Sequence, residues 1–359
     1  MYSGIFNNLM LKNLLNKCKQ TSQNPIYHGE GNVYNHIQLC LKEYNLIKHK
    51  LNKLEQFILK RAIYYHDLGK TKCTIIEDNE ITSKGHSKIG YHIALELLDK
   101  LDISFEIKKE IVMLILYHNK PFWLHEKSEH NQHYEIIKMS LDCNLKLLYY
   151  LSLCDTKGRI ANDINDKVDN IEYFKLQSME LNCFDKPFNF KSEIAKYNYI
   201  VKRTHHHSDN PYNDTKSCVI MMSGLPGSGK DYYIKNNLKD YKIISLDEIR
   251  IKLKIKPTDN QGRVIHYVKD LIKEYLRSGV NFIINSTNTS KLIRNSYINI
   301  LNDYKAHITV IFIYKQLYVI YKQNKNRNEI VPQKVIYKLF RNIDIPLNCE
   351  VHCVKYIYN

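Results

Sequence analysis

Apolar side chains recur every three or four positions through most of the first half of the chain, which is the spacing of one face of an α-helix. Such stripes run through residues 54–65, 89–101, 111–118 and 148–155. Two of them carry a polar residue on the apolar face, because His118 ends the third stripe and Asp155 ends the fourth. The pattern predicts an all-α N-terminal domain with a few ionisable groups turned towards its interior.

The second half has a different pattern, in which short continuous apolar runs alternate with helix-forming segments. The runs "CVIMMSG", "YKIIS" and "NFIIN" each end in small or polar residues. Continuous runs of this length are typical of a parallel sheet, because helices cover both of its faces. We therefore predict a C-terminal α/β domain with a parallel sheet, and the tail "CEVHCVKYIY" is predicted to return as a further strand.

A length of 359 residues suffices for two domains of ordinary size. We place the all-α domain at residues 20–165, a helical connector at 166–215 and the α/β domain at 216–359. No apolar run approaches the ~20 residues of a membrane span and no signal-peptide pattern is evident, so we expect a cytoplasmic protein without a membrane partner. The nine cysteines lack the spacing of metal fingers and are predicted to be reduced thiols.

Charge and histidine are distributed unequally between the two halves. The net charge of +16 divides into +3 for residues 1–215 and +13 for residues 216–359, where 24 Lys and Arg face 11 Asp and Glu. Thirteen of the 16 histidines precede residue 216. The basic half is therefore predicted to meet a polyanion, while the histidine-rich half is predicted to carry a different chemistry.

An aspartate on a buried helical stripe costs free energy unless a positive group compensates it, and a bound metal would do so. The adjacent pair His66-Asp67 in "YYHDLGK" offers nitrogen and oxygen ligands of the kind that divalent transition metals take. Two such metals close together clamp a phosphate and activate a water for attack. The predicted ligands are His36, His66, Asp67, His86, His118 and Asp155, with His86 and His118 assigned to a second metal.

Two residues near these ligands have open roles. Lys70, three positions after Asp67, is either a contact to a substrate phosphate or a solvated surface lysine. His28, in "YHGEGNVYNH", is a candidate for a further ligand or a substrate contact, with an ordinary packed histidine as the alternative.

A glycine-rich loop lies between a predicted strand and a predicted helix in "VIMMSGLPGSGKDYYI". In this context backbone N–H groups and the helix N-terminus face a phosphate, and a lysine reaches its outer oxygens. The hydroxyl residue that usually follows the lysine is replaced by Asp231, which either supports Mg²⁺ through waters or only favours the helix start. The predicted nucleotide-binding residues of the loop are Gly224, Gly227, Ser228, Gly229, Lys230 and Asp231.

Residues for an acceptor and for the transfer step follow later in the chain. Asp247 and Arg250 in "SLDEIR" are three positions apart, so on a helix a general base and a phosphate-holding cation share one face. Thr287 and Asn288 follow a strand where the acceptor or the γ-phosphate is expected. Lys325 and Arg327 precede Pro332 in a segment that is either a lid over the transferred phosphoryl group or a solvated helix.

Together these motifs resemble known families. The order of "HGEGNVYNH", "HDLGK", "GHSKIG" and "CDTKGR" is similar to the HD phosphohydrolase superfamily, and "GLPGSGK", "DEIR", "STN" and the basic segment look like the kinase domain of polynucleotide 5′-kinases. With "KPTDNQGRVI" and "VPQKVI" added, nearly the whole chain resembles bacterial HD-domain polynucleotide kinase-phosphatases. In that group Asp is the usual residue after the loop lysine, so Asp231 fits; Ser286 stands where phage kinases have Asp, which leaves the contact of that Asp in doubt.

The resemblance implies a bifunctional enzyme that repairs RNA or DNA ends ahead of a polynucleotide ligase. The kinase uses ATP with Mg²⁺ to phosphorylate a 5′-OH, and the HD half uses divalent transition metals to remove a 2′- or 3′-phosphate, with 2′,3′-cyclic ends as further candidates. One alternative pairs a nucleotide phosphohydrolase with a small-molecule or nucleoside kinase. Another is a nucleotide-sensing regulator, which the presence of the base Asp247 disfavours.

Overall fold

The structure is a computed structural model that describes residues 9–78, 80–327 and 329–358. The chain divides into two compact units between Asn189 and Phe190, here called the helical unit and the sheet unit. This division splits the segment that the sequence assigns to a connector, 166–215, between the two units. The physical reason for its first part is burial, because Ile171 and Phe174 are fully enclosed in the core of the helical unit.

The helical unit is all-α apart from one small hairpin. Its helices are α1 (Leu9–Gln20), α2 (Val33–Ile47), α3 (Lys53–Tyr65), α4 (Lys70–Cys73), α5 (His86–Asp99), α6 (Phe105–Tyr117), α7 (Glu129–Ser140), α8 (Leu145–Lys157) and α9 (Ile164–Glu180). Short 3₁₀ turns cover Lys48–Lys50 and Pro121–Glu126, and the hairpin pairs β1 (Ile75–Glu77) with β2 (Glu80–Thr82).

Side-chain caps fix where several of these helices begin. Asn32 accepts a hydrogen bond from the N–H of Asn35 at the start of α2. At the start of α3, Asn52 and Glu55 cap each other's backbone N–H groups reciprocally. Each such cap satisfies N–H groups that have no partner within the helix, and is worth about 1 kcal/mol. The polar residues Asn32 and Asn52 therefore set where α2 and α3 begin.

The sheet unit alternates helices with parallel strands. It contains α10 (Glu193–Tyr197), a π-helical turn (Asn198–Lys202), β3 (Ser217–Ser223), α11 (Lys230–Asn237), β4 (Lys242–Ser245), α12 (Leu246–Leu253), α13 (Gly262–Arg277), β5 (Phe282–Asn285), α14 (Lys291–Asp303), β6 (Ala306–Tyr314), α15 (Leu317–Lys325), α16 (Gln333–Arg341) and β7 (Cys353–Tyr358). Among the described residues the strands form one sheet in the order β4-β5-β3-β6-β7, all parallel.

Both faces of this sheet are buried, which confirms the reading of its continuous apolar runs. Val219 and Met221 on β3 pack into a large cluster on one face, and Ile220 and Met222 pack into a smaller cluster on the other. Because β3, β4 and β5 are neighbours and parallel, their carboxyl ends meet at one edge. Open parallel sheets bind ligands at such an edge. The tail forms the predicted strand, β7, beside β6.

A buried ion pair ties the C-terminal segment to α14. Arg294 is fully buried and donates to both carboxylate oxygens of Glu350, at 2.9 and 3.0 Å. The same guanidinium donates to the carbonyl oxygens of Asn288 and Asp344, at 3.1 and 2.9 Å. Four charge-assisted bonds thus hold together the loop after β5 and the chain that leads into β7.

In the part of the chain that is described, no helix combines the length and the apolar character needed to cross a bilayer.

Candidate functional sites

The helical unit brings all the predicted metal ligands into one cluster. Their side chains come from five helices or the residues directly after them. His36 lies on α2, His66 and Asp67 follow α3, His86 opens α5, His118 follows α6 and Asp155 lies on α8. Most of them are almost fully buried, and His86 is partly exposed at the rim.

The cluster has two groups of ligand atoms with Asp67 between them. In the first group His36 Nε2 lies 3.1 Å from Asp155 Oδ1 and 3.4 Å from His66 Nε2. In the second group His86 Nε2 lies 3.2 Å from His118 Nε2. Asp67 Oδ2 lies 3.5 Å from His66 Nε2, and Asp67 Oδ1 lies 3.5 Å from His86 Nε2. One carboxylate therefore presents an oxygen to each group.

Backbone carbonyls fix the orientation of three of the imidazoles. The Nδ1 atoms of His66, His86 and His118 lie 2.8, 2.9 and 2.7 Å from the carbonyl oxygens of the residues three positions earlier. A carbonyl only accepts, so each Nδ1 carries the proton and each Nε2 presents its lone pair to the cluster. Metal-binding histidines are commonly oriented in this way.

The charge states of Asp67, His86 and His118 suit cation binding. Burial lowers the pKa of His86 and of His118 to about 4, so both rings are neutral at neutral pH. Burial opposes ionisation of Asp67, but Lys70, whose Nζ lies 2.8 Å from Oδ2, and the nearby imidazoles outweigh it and hold its pKa well below the ordinary value. Neutral imidazoles and ionised carboxylates are the forms that bind metals.

Sequence reasoning missed Glu30, which orients His36. Its Oε1 lies 2.8 Å from His28 Nδ1 and 3.0 Å from His36 Nδ1, and its Oε2 accepts a bond from the N–H of Ile160. His28 therefore touches the cluster through Glu30. Burial opposes a charge on His36, yet the Cys40 sulfur and the carboxylates beside the ring raise its pKa well above the ordinary value. Glu30 lies in a loop, where no periodicity marks a buried position.

Arg159 was also missed, and it changes the argument for Asp155. The predicted burial of Asp155 holds, at 2% exposure, but Arg159 Nη2 and Nε lie 2.9 and 3.2 Å from its Oδ1. This guanidinium already compensates the carboxylate, so the buried charge alone does not require a metal. Lys70 is 8% exposed and donates to Gln23 Oε1 at 2.7 Å, which excludes the solvated alternative for that lysine.

In the sheet unit, a glycine-rich loop connects β3 to α11 as the sequence predicts. Gly224, Gly227 and Gly229 have φ values of 152, 81 and 96°, which disfavour residues with a Cβ. At Gly224 a Cβ would lie 2.8 Å from the carbonyl oxygen of Ile313 on β6, too close for any larger residue. The N-terminus of α11 therefore opens at the carboxyl edge of the sheet.

Lys230 and Ser228 lie inside this loop. Lys230 Nζ donates to the carbonyl oxygens of Gly224 and Leu225, at 3.0 and 2.9 Å, and Ser228 is buried. The pKa of Lys230 is lowered to about 8, chiefly by burial; Arg327 acts in the same direction, whereas Asp231 and Asp247 act in the opposite one. Arg327 therefore adds positive potential at the lysine of the loop.

Asp231 makes a contact that the sequence did not predict. Its Oδ1 accepts a hydrogen bond of 2.7 Å from Asn285 Nδ2, at the carboxyl end of β5. The carboxylate is thereby held at the loop beside Lys230. Magnesium support and helix capping both stay predictions for this residue.

The predicted base and its neighbour share a face of α12, as their spacing requires. Arg250 Nη1 lies 2.5 Å from Asp247 Oδ1, and Arg250 Nε donates to Gln261 Oε1 at 2.8 Å. The Asp247 side chain is 74% exposed, so an acceptor in solution can reach it. Gln261, which lies in "KPTDNQGRVI", positions the guanidinium and was not singled out from the sequence.

The acceptor role expected of Asn288 needs correction. Its side chain is fully buried, its φ is 42°, and its Nδ2 donates to the carbonyl oxygen of Met222 at 2.8 Å. The amide holds the loop against β3, because the buried carbonyl oxygen of Met222 needs a hydrogen-bond donor. Thr287, whose carbonyl oxygen accepts a bond from the N–H of Gly224, lies at the phosphate loop and stays a candidate contact.

The predicted lid begins where α15 ends. Lys325 is exposed and Arg327 is partly buried. Asn324 is bonded through both side-chain atoms to the backbone of Val331, at 2.8 and 3.1 Å, which closes the segment into a loop. A Cβ at Gly227 would lie 3.6 Å from Asn324 Cβ, so this loop starts against the phosphate loop.

The sheet unit is similar to known proteins. A family model described as an AAA domain matches residues 219–345. The chain is 25% identical over 135 residues to L-seryl-tRNA(Sec) kinase of Methanococcus maripaludis, a match of 36% of this chain and 53% of that protein. The chain thus spans about half the length of this curated relative.

A solved gluconokinase from Sinorhizobium meliloti 1021 aligns with a TM-score of 0.30 at 15% identity, over 40% of this chain and 83% of that one. A similarity this low carries no argument about function. The family model and the kinase relative, with the loop geometry, identify the C-terminal part of the chain as a kinase-like P-loop domain, the kind that takes ATP or another nucleoside triphosphate with Mg²⁺.

Proposed function

We propose that the chain is a bifunctional nucleic-acid end-healing enzyme. Its sheet unit phosphorylates a 5′-OH terminus with ATP, and its helical unit is an HD-type phosphohydrolase that removes a terminal 2′- or 3′-phosphate. The observation that carries the proposal is the meeting of His36, His66, Asp67, His86, His118 and Asp155 in one chain with a P-loop kinase-like domain.

In the kinase half, the residues divide the work of phosphoryl transfer. The loop N–H groups and Lys230 hold the β- and γ-phosphates of the nucleotide. Asp247 accepts the proton of the attacking hydroxyl, and Arg250 holds a phosphate of the acceptor strand. Arg327, which lies close enough to Lys230 to lower its pKa, neutralises charge on the transferred group. Mg²⁺ supplies charge neutralisation when bound, with Asp231 as its nearest candidate support.

In the helical half, the donor set fits one or two divalent transition metals. The buried Asp67 Oδ1 accepts no hydrogen bond among the described residues, and three imidazoles present bare Nε2 atoms beside it. A metal held there polarises a phosphate and activates a water. Lys70, beside Asp67, and Arg159, beside Asp155, place two cations where a phosphate monoester would be held.

The choice of a nucleic-acid end rests on charge. Residues 216–359 carry a surplus of +13, which suits a strand with many phosphates better than a small sugar or nucleoside. A kinase for a small molecule is the second candidate, because the kinase domain alone is matched and the curated relative named above is not a polynucleotide kinase.

The first experiment offers γ-labelled ATP and Mg²⁺ to the full chain with a 5′-OH oligonucleotide, and in parallel with free nucleosides. A second reaction offers a 3′-phosphorylated oligonucleotide with Mn²⁺, Co²⁺ or Ni²⁺ and measures released phosphate. Label on the oligonucleotide together with phosphate release supports the proposal. Label on nucleosides alone supports a small-molecule kinase. Label on neither acceptor supports the alternative of a nucleotide-sensing regulator.

Variants then test whether the two activities have separate sites. Lys230→Ala should abolish kinase activity and leave phosphate release unchanged, because Lys230 lies in the sheet unit alone. Asp67→Asn should do the reverse. The exposed Lys235→Ala on α11 is the matched control for loss of a lysine and should keep both activities. If one folded variant lost both activities, the two-site assignment would be wrong.

A further inference from the structure

The helical unit contains a cavity that shares no residue with the metal cluster. Its volume is about 420 Å³, which lies in the range of small-molecule sites. It is enclosed by α1, the end of α2, the following 3₁₀ turn and one face of α3. The lining residues are Leu11, Tyr44, Asn45, Lys48, Lys53, Gln56, Phe57, Lys60, Arg61, Tyr64 and Tyr65.

The lining combines two kinds of side chain. Lys48, Lys53, Lys60 and Arg61 bring four cations, and among the described residues that line the cavity there is no carboxylate. The unit around it is nearly balanced, since residues 1–189 carry 25 Lys and Arg against 23 Asp and Glu. Four of the other seven lining side chains are aromatic, three tyrosines and a phenylalanine. A ligand that satisfies both kinds carries negative charge and a flat ring.

Hydrogen bonds hold the walls in place without a ligand. Tyr44 Oη donates to the carbonyl oxygen of Gln56 at 3.2 Å, which ties α2 to α3. Gln56 Nε2 donates to the carbonyl oxygens of Lys48 and Leu51, at 3.0 and 2.9 Å. Arg61 is 6% exposed, and its guanidinium stacks 3.2 Å from the centre of the Phe57 ring. The cavity is therefore preformed, with a buried cation stacked on an aromatic wall.

We propose that this cavity binds a nucleoside 5′-phosphate, with the base against the tyrosine rings and the phosphates between Lys53, Lys60 and Arg61. The site is separate from the P-loop of the sheet unit and does not depend on the function proposed above. The cavity is connected to the metal cluster through α3, which carries Arg61 and Tyr64 on the cavity wall and leads directly into His66 and Asp67.

The test measures nucleotide binding to full-length protein whose P-loop has been disabled by Lys230→Ala. Isothermal titration with ATP should give one site per chain in that background. Reversing two exposed charges, Lys53→Glu with Lys60→Glu, should weaken the affinity at least about tenfold, because two cations that would contact the phosphates become anions. Lys186→Glu, an exposed reversal elsewhere in the same unit, should leave it unchanged.

Two further arms identify the ligand. Photo-crosslinking of wild-type protein with 8-azido-ATP should label a peptide from α3 in addition to the P-loop, and inorganic tripolyphosphate should bind more weakly than ATP. Comparison of AMP with a 5′-phosphorylated trinucleotide shows whether the site takes a free nucleotide or a strand end. The proposal is overturned if the Lys230→Ala protein binds no nucleotide at millimolar concentration, if the charge reversals have no effect, or if tripolyphosphate binds as well as ATP.

Discussion

Gly69, in the "HDLGK" motif, should be indispensable for the second group of metal ligands. It lies where α4 begins against the first turn of α5, and a Cβ on it would lie 2.0 Å from the carbonyl oxygen of His86 and 2.7 Å from the nitrogen of Gly90. An ordinary contact needs 3.4 Å, so the first separation is about 1.4 Å too short. Both clashing atoms are backbone, so the clash is relieved only if α5 and the segment around Gly69 move apart.

The Gly69→Ala substitution therefore moves His86, the first residue of α5, away from Asp67 and His118. Overpacking of this kind costs about 1–3 kcal/mol of stability. Misplacement of a site residue by about 1 Å can cost about 100-fold in rate. We expect the variant to lose one bound metal and at least that factor in phosphate release, while its 5′-kinase activity is retained.

The assay is metal content per chain by mass spectrometry after dialysis, together with both activities and the melting temperature. Gly90→Ala is a graded comparison, since its Cβ would lie 3.1 Å from the carbonyl oxygen of His66 and should have a smaller effect. Lys72→Ala, an exposed position on α4, should behave as wild type. Full metal content and wild-type phosphatase activity in Gly69→Ala, or greater damage from Gly90→Ala, would refute the reasoning.

Removing metal with a chelator should lower the thermal unfolding midpoint of the helical unit, because a metal that binds only the folded cluster stabilises it. The fluorescence of Trp123, the one tryptophan of the chain, reports this midpoint. An unchanged midpoint would count against a metal that binds the folded cluster. Arg294→Met should destabilise the sheet unit by about 3–5 kcal/mol, because it leaves Glu350 buried without its partner, and hydrogen exchange of the strands should show it while Trp123 does not respond. Glu350→Gln in the same chain should recover part of the loss. His352 has a pKa lowered to about 3, chiefly by burial, and its Nδ1 accepts a bond from the N–H of Ile308. Between pH 3 and the ordinary histidine pKa of about 6.5, the unfolded chain binds more protons than the folded one. The free energy of unfolding should therefore fall as the pH falls below about 6.5, by up to about 1.4 kcal/mol per pH unit. Urea unfolding of His352→Gln should show a smaller dependence of this free energy on pH, and an equal dependence would contradict the assignment.

The elements that the sequence predicts well are those marked by a local pattern. Helical periodicity places His118 and Asp155 on buried faces, and each residue is only 2% exposed. The apolar runs of the second half become the buried strands of a parallel sheet. The glycine loop follows its strand and opens α11, because its φ values require glycine at fixed positions. In each case the information lies within a few neighbouring residues.

Such local patterns do not predict contacts between residues that are far apart in the sequence. Arg294 and Glu350 are fully or nearly buried 56 positions apart, and neither lies in a motif that announces a charge in the core. Glu30 reaches His36 from an irregular loop, where burial follows no period. Asn288 looks like a site residue at a strand end, yet its amide is used by the backbone of β3. Which partner a polar group finds is decided by tertiary packing.

The imidazoles of the helical unit favour a bound cation more strongly than its buried carboxylate Asp155 does. Arg159 compensates Asp155, so the buried carboxylate that first suggested a metal has another partner. Among the described residues no cation pairs with His86 or His118, and Ser87 Oγ, 3.5 Å from His86 Nε2, is at the limit of a hydrogen bond. Both rings use Nδ1–H on a backbone carbonyl, and their Nε2 atoms face each other at 3.2 Å with lone pairs directed inward. A proton between them would create a buried imidazolium, which burial opposes. A divalent cation bound by both rings and by Asp67 Oδ1 satisfies all three atoms at once, and this is why the metal prediction rests on the imidazoles and not on Asp155.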